Sequence, residues 1–190
     1  VSALGIENAQ KTSLYAKTKY ESEKAIINSC QNYNIIKPSI IFGPADSFFN
    51  LFAKIAKFTP FLPLVGGGST KFSPVYVEDI TKSILVLIEG RKAHINQTFE
   101  ACGRETVTFK DLMLFILKTL GIKRLLIPLP FNVAKIQAKL MNTIKIFLLT
   151  QDQVELLKYD NIATNKYENI TTLVSELQSY KKIVPSYIRS

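Results

Sequence analysis

The chain has 190 residues, 47% hydrophobic, 21% charged and 11% aromatic, which excludes a disordered chain, a collagen-like fibre and a low-complexity linker. Lys and Arg number 24 against 15 Asp and Glu, a formal charge of +9; 20 of the 24 are Lys and 4 Arg, which speaks against a surface built for bidentate Arg contacts to nucleic acid. One His and two Cys, Cys30 and Cys102, supply neither a His-rich metal site nor a disulfide framework, so no metal is expected and a reducing compartment is.

Residues 1–5 read as the end of a buried strand running into a turn. Ser13 is placed to cap a helix over 14–30, a stretch of good helix formers without Gly or Pro. Residues 34–42 are β-branched and read as one strand, with Pro38 putting it at an edge or where a ligand approaches. After the Gly43-Pro44 break, Phe49, Phe52, Ala53 and Ala56 fall at helical spacing over 48–58. A Pro-rich connection over 59–64 leads to Gly66, Gly67 and Gly68, which read as a flexible turn. A strand over 71–77, a helix over 78–89 and a short strand over 97–101 follow. The helix over 108–120 is apolar and stops at Gly121. Residues 125–130 are extended, 131–149 form a long basic helix, another helix starts at Thr150, and a short one lies around 173–180. Alternating strands and helices predict an α/β fold with a doubly wound sheet in its first part.

The excess charge lies late in the chain: +3 in residues 1–100 and +6 in 101–190. No acidic residue stands between Asp111 and Asp152, whereas Lys118, Lys123, Arg124, Lys135, Lys139 and Lys145 do. The basic helix suits docking to an anionic membrane surface or to an acidic partner subunit. It equally suits a core-packed helix with a solvated Lys face. No nucleic-acid recognition motif accompanies it. No apolar run reaches the ~18 residues of a membrane span and no signal-peptide pattern is visible, so a cytoplasmic protein of bacterial type is expected, with a peripheral place at the inner membrane as an extension of that reading. The thiols have no nearby His and are expected to be inert; His94 is expected to be exposed.

The chemistry-bearing pattern is Tyr15-Ala16-Lys17-Thr18-Lys19. At i and i+4 the Tyr15 phenol and the Lys19 ammonium share a helix face. An adjacent ammonium favours the phenolate and lowers the phenol's pKa, giving a group able to protonate a carbonyl or deprotonate an alcohol. Tyr20 and Lys24 repeat the spacing five residues on, about 140° round the helix, so both pairs cannot serve one site.

Tyr15, Thr18, Lys19 and Glu23 match the pattern of the extended and atypical short-chain dehydrogenase/reductase superfamily, which this chain resembles; the Tyr20 register does not match. The likeness continues through Lys37-Pro38-Ser39-Ile40-Ile41-Phe42-Gly43-Pro44 and the stretch from Phe72 to Ile80. Segments from Val1-Ser2-Ala3-Leu4-Gly5 to Pro185-Ser186-Tyr187 are similar to the NAD(P)H-binding accessory subunits of respiratory complex I (alpha subcomplex subunit 9). The resemblance implies the C-terminal part of a Rossmann-type doubly wound fold plus a small, mostly helical substrate lobe. The divisions are 1–45 for the nucleotide-binding part, 46–160 for the lobe with interleaved Rossmann elements, and 161–190 for a tail. It implies Tyr15 as acid/base, Lys19 as ribose anchor, Ser2 as third catalytic residue, and Pro38, Ser39 and Ile40 beside the nicotinamide.

Three positions depart from the pattern. Ala3 stands where extended members often have a second Ser, Lys37 where Arg is common, and the Gly-rich turn that seats a pyrophosphate on a helix N-terminus is absent. NADP(H) or NAD(H) is therefore expected in a longer parent of roughly 300 residues and not on this chain alone. A complementary Rossmann half and respiratory-complex subunits are the expected partners. Three roles stay open: carbonyl/alcohol oxidoreduction or sugar-nucleotide epimerisation in the parent, a non-enzymatic complex I accessory or assembly role, or a truncated remnant.

Overall fold

The computed structural model describes residues 1–90, 94–134 and 150–189. Its chain start is fixed by two hydrogen bonds: Ser2 N–H donates to the Ile36 carbonyl at 2.7 Å and Leu4 N–H to that of Pro38 at 3.0 Å. Alternate residues bonded to alternate carbonyls make a strand-like edge of residues 1–4, as the sequence predicts. A short helix α1 (Ile6–Ala9) follows, then α2 (Leu14–Ser29). Ser13 caps α2 by accepting the Ala16 N–H at 3.2 Å, so the expected cap and boundaries hold. α2 buries only Ala16 and Glu23 and leaves Leu14, Ile26 and Ile27 exposed.

The predicted strand over 34–42 is two strands, β1 (Asn34–Pro38) and β2 (Ile41–Phe42). The predicted strand over 71–77 is likewise two, β4 (Lys71–Phe72) and β5 (Val75–Tyr76). Both breaks face each other and are stitched by one hydroxyl. Ser39 Oγ donates to the Asn161 carbonyl at 2.7 Å and accepts the Ser73 N–H at 3.1 Å. Beyond the break β2 pairs in parallel with β5, while β1 pairs in parallel with β6 (Gln97–Ala101), and β6 with β9 (Glu168–Asn169). β1 is thus the end strand of the β1-β6-β9 sheet, flanked by residues 1–4, in keeping with Pro38 at its end.

The Pro-rich connection expected over 59–64 is instead strand β3 (Phe61–Val65), parallel to β8 (Leu125–Leu129). A two-stranded ribbon leaves each strand an outer side with no ladder bond to make, which is why Pro63 and Pro128 are tolerated. Gly66, Gly67 and Gly68 have φ of 61°, 73° and 79°, so the triplet is a defined left-handed turn that only Gly adopts cheaply. A Cβ on Gly66 would also strike the Phe131 ring.

Helices α3 (Phe49–Phe58) and α5 (Phe109–Leu120) face each other across an aromatic core of Phe42, Phe49, Phe52 and Phe109. Thr108 closes a capping box with Asp111 and Gly121 ends α5 at φ 67°; Val107 and Thr108 also form β7, antiparallel to β4. A second core lies between the β1-β6-β9 sheet and α4 (Val77–Glu89), around Ile36, Val75, Ile80, Leu87, Phe99 and Ile170. Helix α6 (Gln151–Leu156) starts in a Thr150–Gln153 capping box. The expected helix around 173–180 does not form. Gln178 N–H donates to Asp79 Oδ2 at 2.7 Å and Arg104 to the Ser175 carbonyl at 2.8 Å, so side chains from elsewhere take bonds a helix would need. The chain ends in α7 (Tyr180–Ile183) and α8 (Pro185–Ile188); Tyr180, Ile188 and Val184 between the two helices enter the aromatic core. Residues 135–149 of the predicted basic helix lie outside the described residues. Among those described, no helix is long and apolar enough to cross a membrane.

Gly103 donates its N–H to the Ser73 carbonyl at 3.0 Å, and a Cβ there would stand 1.9 Å from the Pro74 carbonyl oxygen. Backbone cannot swing aside as a side-chain tip can. Gly103→Ala is expected to cost about 1–3 kcal/mol, read as a lower urea midpoint with an unchanged slope.

Candidate active site

The strand-like start, the first turns of α2, the β1–β2 connection and the start of α3 surround a cavity of about 730 Å³. Ser2, Tyr15, Lys19, Pro38, Ser39 and Ile40, all six residues singled out in the sequence, lie on its wall. Tyr20 and Lys24 do not line it. Lys24 Nζ sits 4.4 Å above the Tyr20 ring, a surface cation–π pair.

Tyr15 is 41% exposed, and burial of the rest pushes its phenol above the ordinary value of 10.0. This differs from the expected lowering by Lys19, whose ammonium donates to the Val1 carbonyl at 3.2 Å and so ties α2 to the strand-like start. A phenol held above 10 keeps its proton at neutral pH and is suited to give it to a carbonyl oxygen. Ser2 is 7% exposed, and its Oγ is buried with no hydrogen-bond partner among the described residues. A buried hydroxyl left unpaired costs free energy, and here it stands in the cavity wall. Ser39 spends its hydroxyl on Asn161 and Ser73. The Pro38 and Ile40 carbonyls accept from Leu4 and Val75. This stretch offers the cavity shape rather than polar contacts.

The opposite wall was not foreseen: Thr150, Asp152, Gln153 and Leu156 from α6 and its cap, then residues 157 and 159–161. Asp152 Oδ1 accepts the Leu14 N–H at 3.0 Å, satisfying an orphan donor at the start of α2. Asn161 donates its amide to the Leu4 carbonyl at 3.1 Å, and its N–H donates to the Lys71 carbonyl at 2.7 Å. The capping box marks α6 in the sequence, but nothing local says that it packs on α2.

Lys37 is 3% exposed and lies between Glu23 of α2, 3.1 Å away, and Glu7 of α1, which it also bonds. Burial opposes its charge, but hydrogen bonds to both carboxylates outweigh burial and hold its pKa above the usual Lys range. Burial works against the Glu7 charge too, and the Lys37 bond overrides it, holding that carboxyl below its usual range. The triad clamps the helix bearing Tyr15 and Lys19 onto β1.

Cys102 is buried, and burial together with the Glu100 carboxylate pushes its thiol up to about 12, so it carries no thiolate; Cys30 is exposed. His94 is half-buried, not exposed, with Nδ1 3.2 Å from Gln97 Oε1 and its ring against Phe99. No group of three His, Cys, Asp or Glu placed to hold a metal occurs among the described residues.

Parallel sheets with interleaved helices make this a Rossmann-type fold of the NAD-dependent epimerase, dehydratase and reductase kind. The dTDP-glucose 4,6-dehydratase DesIV of Streptomyces venezuelae, solved with NAD and TYD, superposes with a TM-score of 0.64 at 17% identity, covering 92% of this chain and 49% of that one. The Citrobacter sp. triphenylmethane reductase complexed with NADP(H) gives 0.69 at 15% identity, covering 98% and 62%. Residues 7–144 match the RmlD substrate binding domain model, and the chain belongs to that family. It is 30% identical over 138 residues to the Arabidopsis thaliana mitochondrial NADH dehydrogenase (ubiquinone) 1 alpha subcomplex subunit 9, covering 73% of this chain and 34% of that protein. The Dictyostelium discoideum protein of the same name is 28% identical over 99 residues, 52% of this chain and 27% of its own. The chain thus spans about a third or less of these relatives. The resemblance read from the Tyr15 helix and its flanking segments is borne out.

Proposed function

We propose that this chain carries the acid/base and nicotinamide-side half of an NAD(P)(H)-binding protein that reduces a carbonyl or oxidises an alcohol. The observation that carries the reading is that Tyr15, Lys19 and Ser2 line one cavity, with the Ser2 hydroxyl buried and unpaired in its wall. These residues fit the nicotinamide-ribose end of a dinucleotide: Lys19 for ribose hydroxyls, Ser2 for a carbonyl or amide oxygen, Pro38, Ser39 and Ile40 as a wall beside the ring. No Gly-rich cradle for the pyrophosphate accompanies them in the sequence. When bound, the reduced nicotinamide supplies a hydride for the carbonyl carbon. Tyr15 gives its phenol proton to the carbonyl oxygen and regains one from solvent.

Exposed Leu14, Ile26 and Ile27 on α2 and the outer edge of residues 1–4 suit a complementary Rossmann half, with helices over the apolar face and strands along the edge. A second reading, favoured by the two plant and amoebal relatives named as NADH dehydrogenase subunits, is an accessory protein of a respiratory complex that binds nucleotide without turnover. Both readings require the nicotinamide site.

The test uses a cofactor half that needs no pyrophosphate cradle, reduced nicotinamide mononucleotide. The whole dinucleotide gains its full affinity only with the complementary half, but this half-cofactor uses residues present here: it is expected to bind the chain about as tightly as NADPH does, and Lys19→Met to weaken both about tenfold, the worth of one charge-assisted hydrogen bond. Fluorescence titration reads both constants, with circular dichroism as the fold control. Binding that ignores Lys19→Met, or no binding by either nucleotide, would sink the reading.

A further inference from the structure

We infer that the second ligand of this cavity is an uncharged, apolar carbonyl compound, an aryl ketone or aldehyde, and not a nucleoside diphosphate sugar. This deepens the proposed function and rests on it for the position of the carbonyl. A diphosphate brings about two negative charges and is held by Arg forks and Lys ammonium groups. Among the described residues of the wall the cationic side chain is Lys19, already assigned to ribose and bonded to Val1, whereas Asp152 and Asp160 are both acidic. The described arginines lie elsewhere, each donating to a carbonyl: Arg104 to Ser175, Arg124 to Ala56 and Arg189 to Thr119. Placing a diphosphate between two carboxylates adds repulsion to the cost of taking it out of water.

The remaining wall matches the opposite chemistry. Phe48, Leu51, Phe52 and Phe72 line one side and Leu156 and Leu157 the other. The Phe48 ring lies 5.0 Å from that of Phe52 and 6.1 Å from that of Phe72, at tilted and edge-on angles, and such a wall receives an aromatic ligand edge-on or offset. At about 730 Å³ the cavity is of the size that takes a small organic ligand beside a nicotinamide. The ligand's single polar atom, its carbonyl oxygen, would meet the Tyr15 phenol.

Benzophenone and UDP-glucose are the probes, titrated onto the chain by saturation-transfer NMR without cofactor. Benzophenone is expected to bind and UDP-glucose not to. Leu51→Arg, which sets a cation on the half-buried wall, is expected to weaken benzophenone at least tenfold. UDP-glucose binding to the unaltered chain, no benzophenone binding, or benzophenone binding unchanged by Leu51→Arg overturns the inference. Should that variant fail to fold, nuclear Overhauser contacts from benzophenone to the Phe48 and Phe72 rings decide the same question, their absence overturning it. Failure of the cofactor reading looks different: benzophenone binds while reduced nicotinamide mononucleotide does not.

Discussion

Lys37→Ala is expected to lose about 3 kcal/mol of folding stability, the lower end of what removing one partner of a buried ion cluster costs. Lys37 is 3% exposed and joins α1 and α2 to β1 through Glu7 and Glu23. Without it two carboxylates face each other, and one Glu23 oxygen is already buried without a hydrogen-bond partner. Glu7 is partly open to water, which tempers the loss. Urea unfolding followed by circular dichroism measures it. Lys37→Met combined with Glu7→Gln and Glu23→Gln removes the charges together and should recover most of the loss; no recovery would mean that Lys37 acts through packing. The pH dependence has a defined sign. Glu7 is held below its usual 4.5, so its contribution is complete above that value and disappears as pH falls through the lower, folded-state pKa. Lys37 is held above its usual 10.5, so its contribution is complete below that value and disappears as pH rises through the higher folded-state pKa. Lys37→Ala should flatten both limbs.

The same triad shows what the sequence disclosed and what it hid. Lys37 was legible as a departure from a pattern, but Glu7 and Glu23 lie 30 and 14 residues away, and no local rule pairs them. Elements whose cause is local were read closely: α2 from its Ser13 cap, α5 from its apolar run and Gly121 stop. Elements whose cause is distant were misread. β3 contains a Pro that counts against a strand until β8 is known to pair with it, and the two divided strands look continuous until Ser39 is seen bonding Asn161, 122 residues on. The helix expected near 173–180 yields to Asp79 and Arg104, neither of which is visible from its own window. The site followed the same division. Ser2, Tyr15, Lys19, Pro38, Ser39 and Ile40 were found because three short segments carry them, which the bonds from residues 1–4 to β1 and from Lys19 to Val1 bring together. The wall from Thr150 to Asn161 was missed because only tertiary packing makes it part of the cavity.

Tyr15→Phe is expected to reduce turnover of an aryl ketone with NADPH by 10²–10⁴-fold, the usual contribution of a positioned proton donor, while leaving nucleotide binding within twofold. The change deletes one oxygen from a side chain that is 41% exposed, so stability should move by no more than ~0.5 kcal/mol. Reduction consumes the phenol proton. Because burial raises the Tyr15 pKa above 10.0, activity should hold through neutral pH and decline only as pH rises through that higher value. The oxidative direction needs the phenolate and should climb over the same range. A bound oxidised nicotinamide, being cationic, would draw the phenol pKa down, so the limb should sit lower with the oxidised cofactor than with the reduced one. Stopped-flow absorbance of NADPH across pH, for the unaltered chain and for Tyr15→Phe, reads all of this in the form that binds nucleotide. Full turnover by Tyr15→Phe would exclude the phenol as proton donor; no turnover by the unaltered chain with nucleotide bound would leave the nucleotide-binding accessory role. Tyr20→Phe is the matched control: its ring lies under Lys24 and packs on Ile6, Ala9 and Ala16, away from the cavity wall. If Tyr20→Phe rather than Tyr15→Phe stopped the reaction, α2 would have to present its other face to the cofactor, breaking the Lys37–Glu23 bond that now sets its rotation.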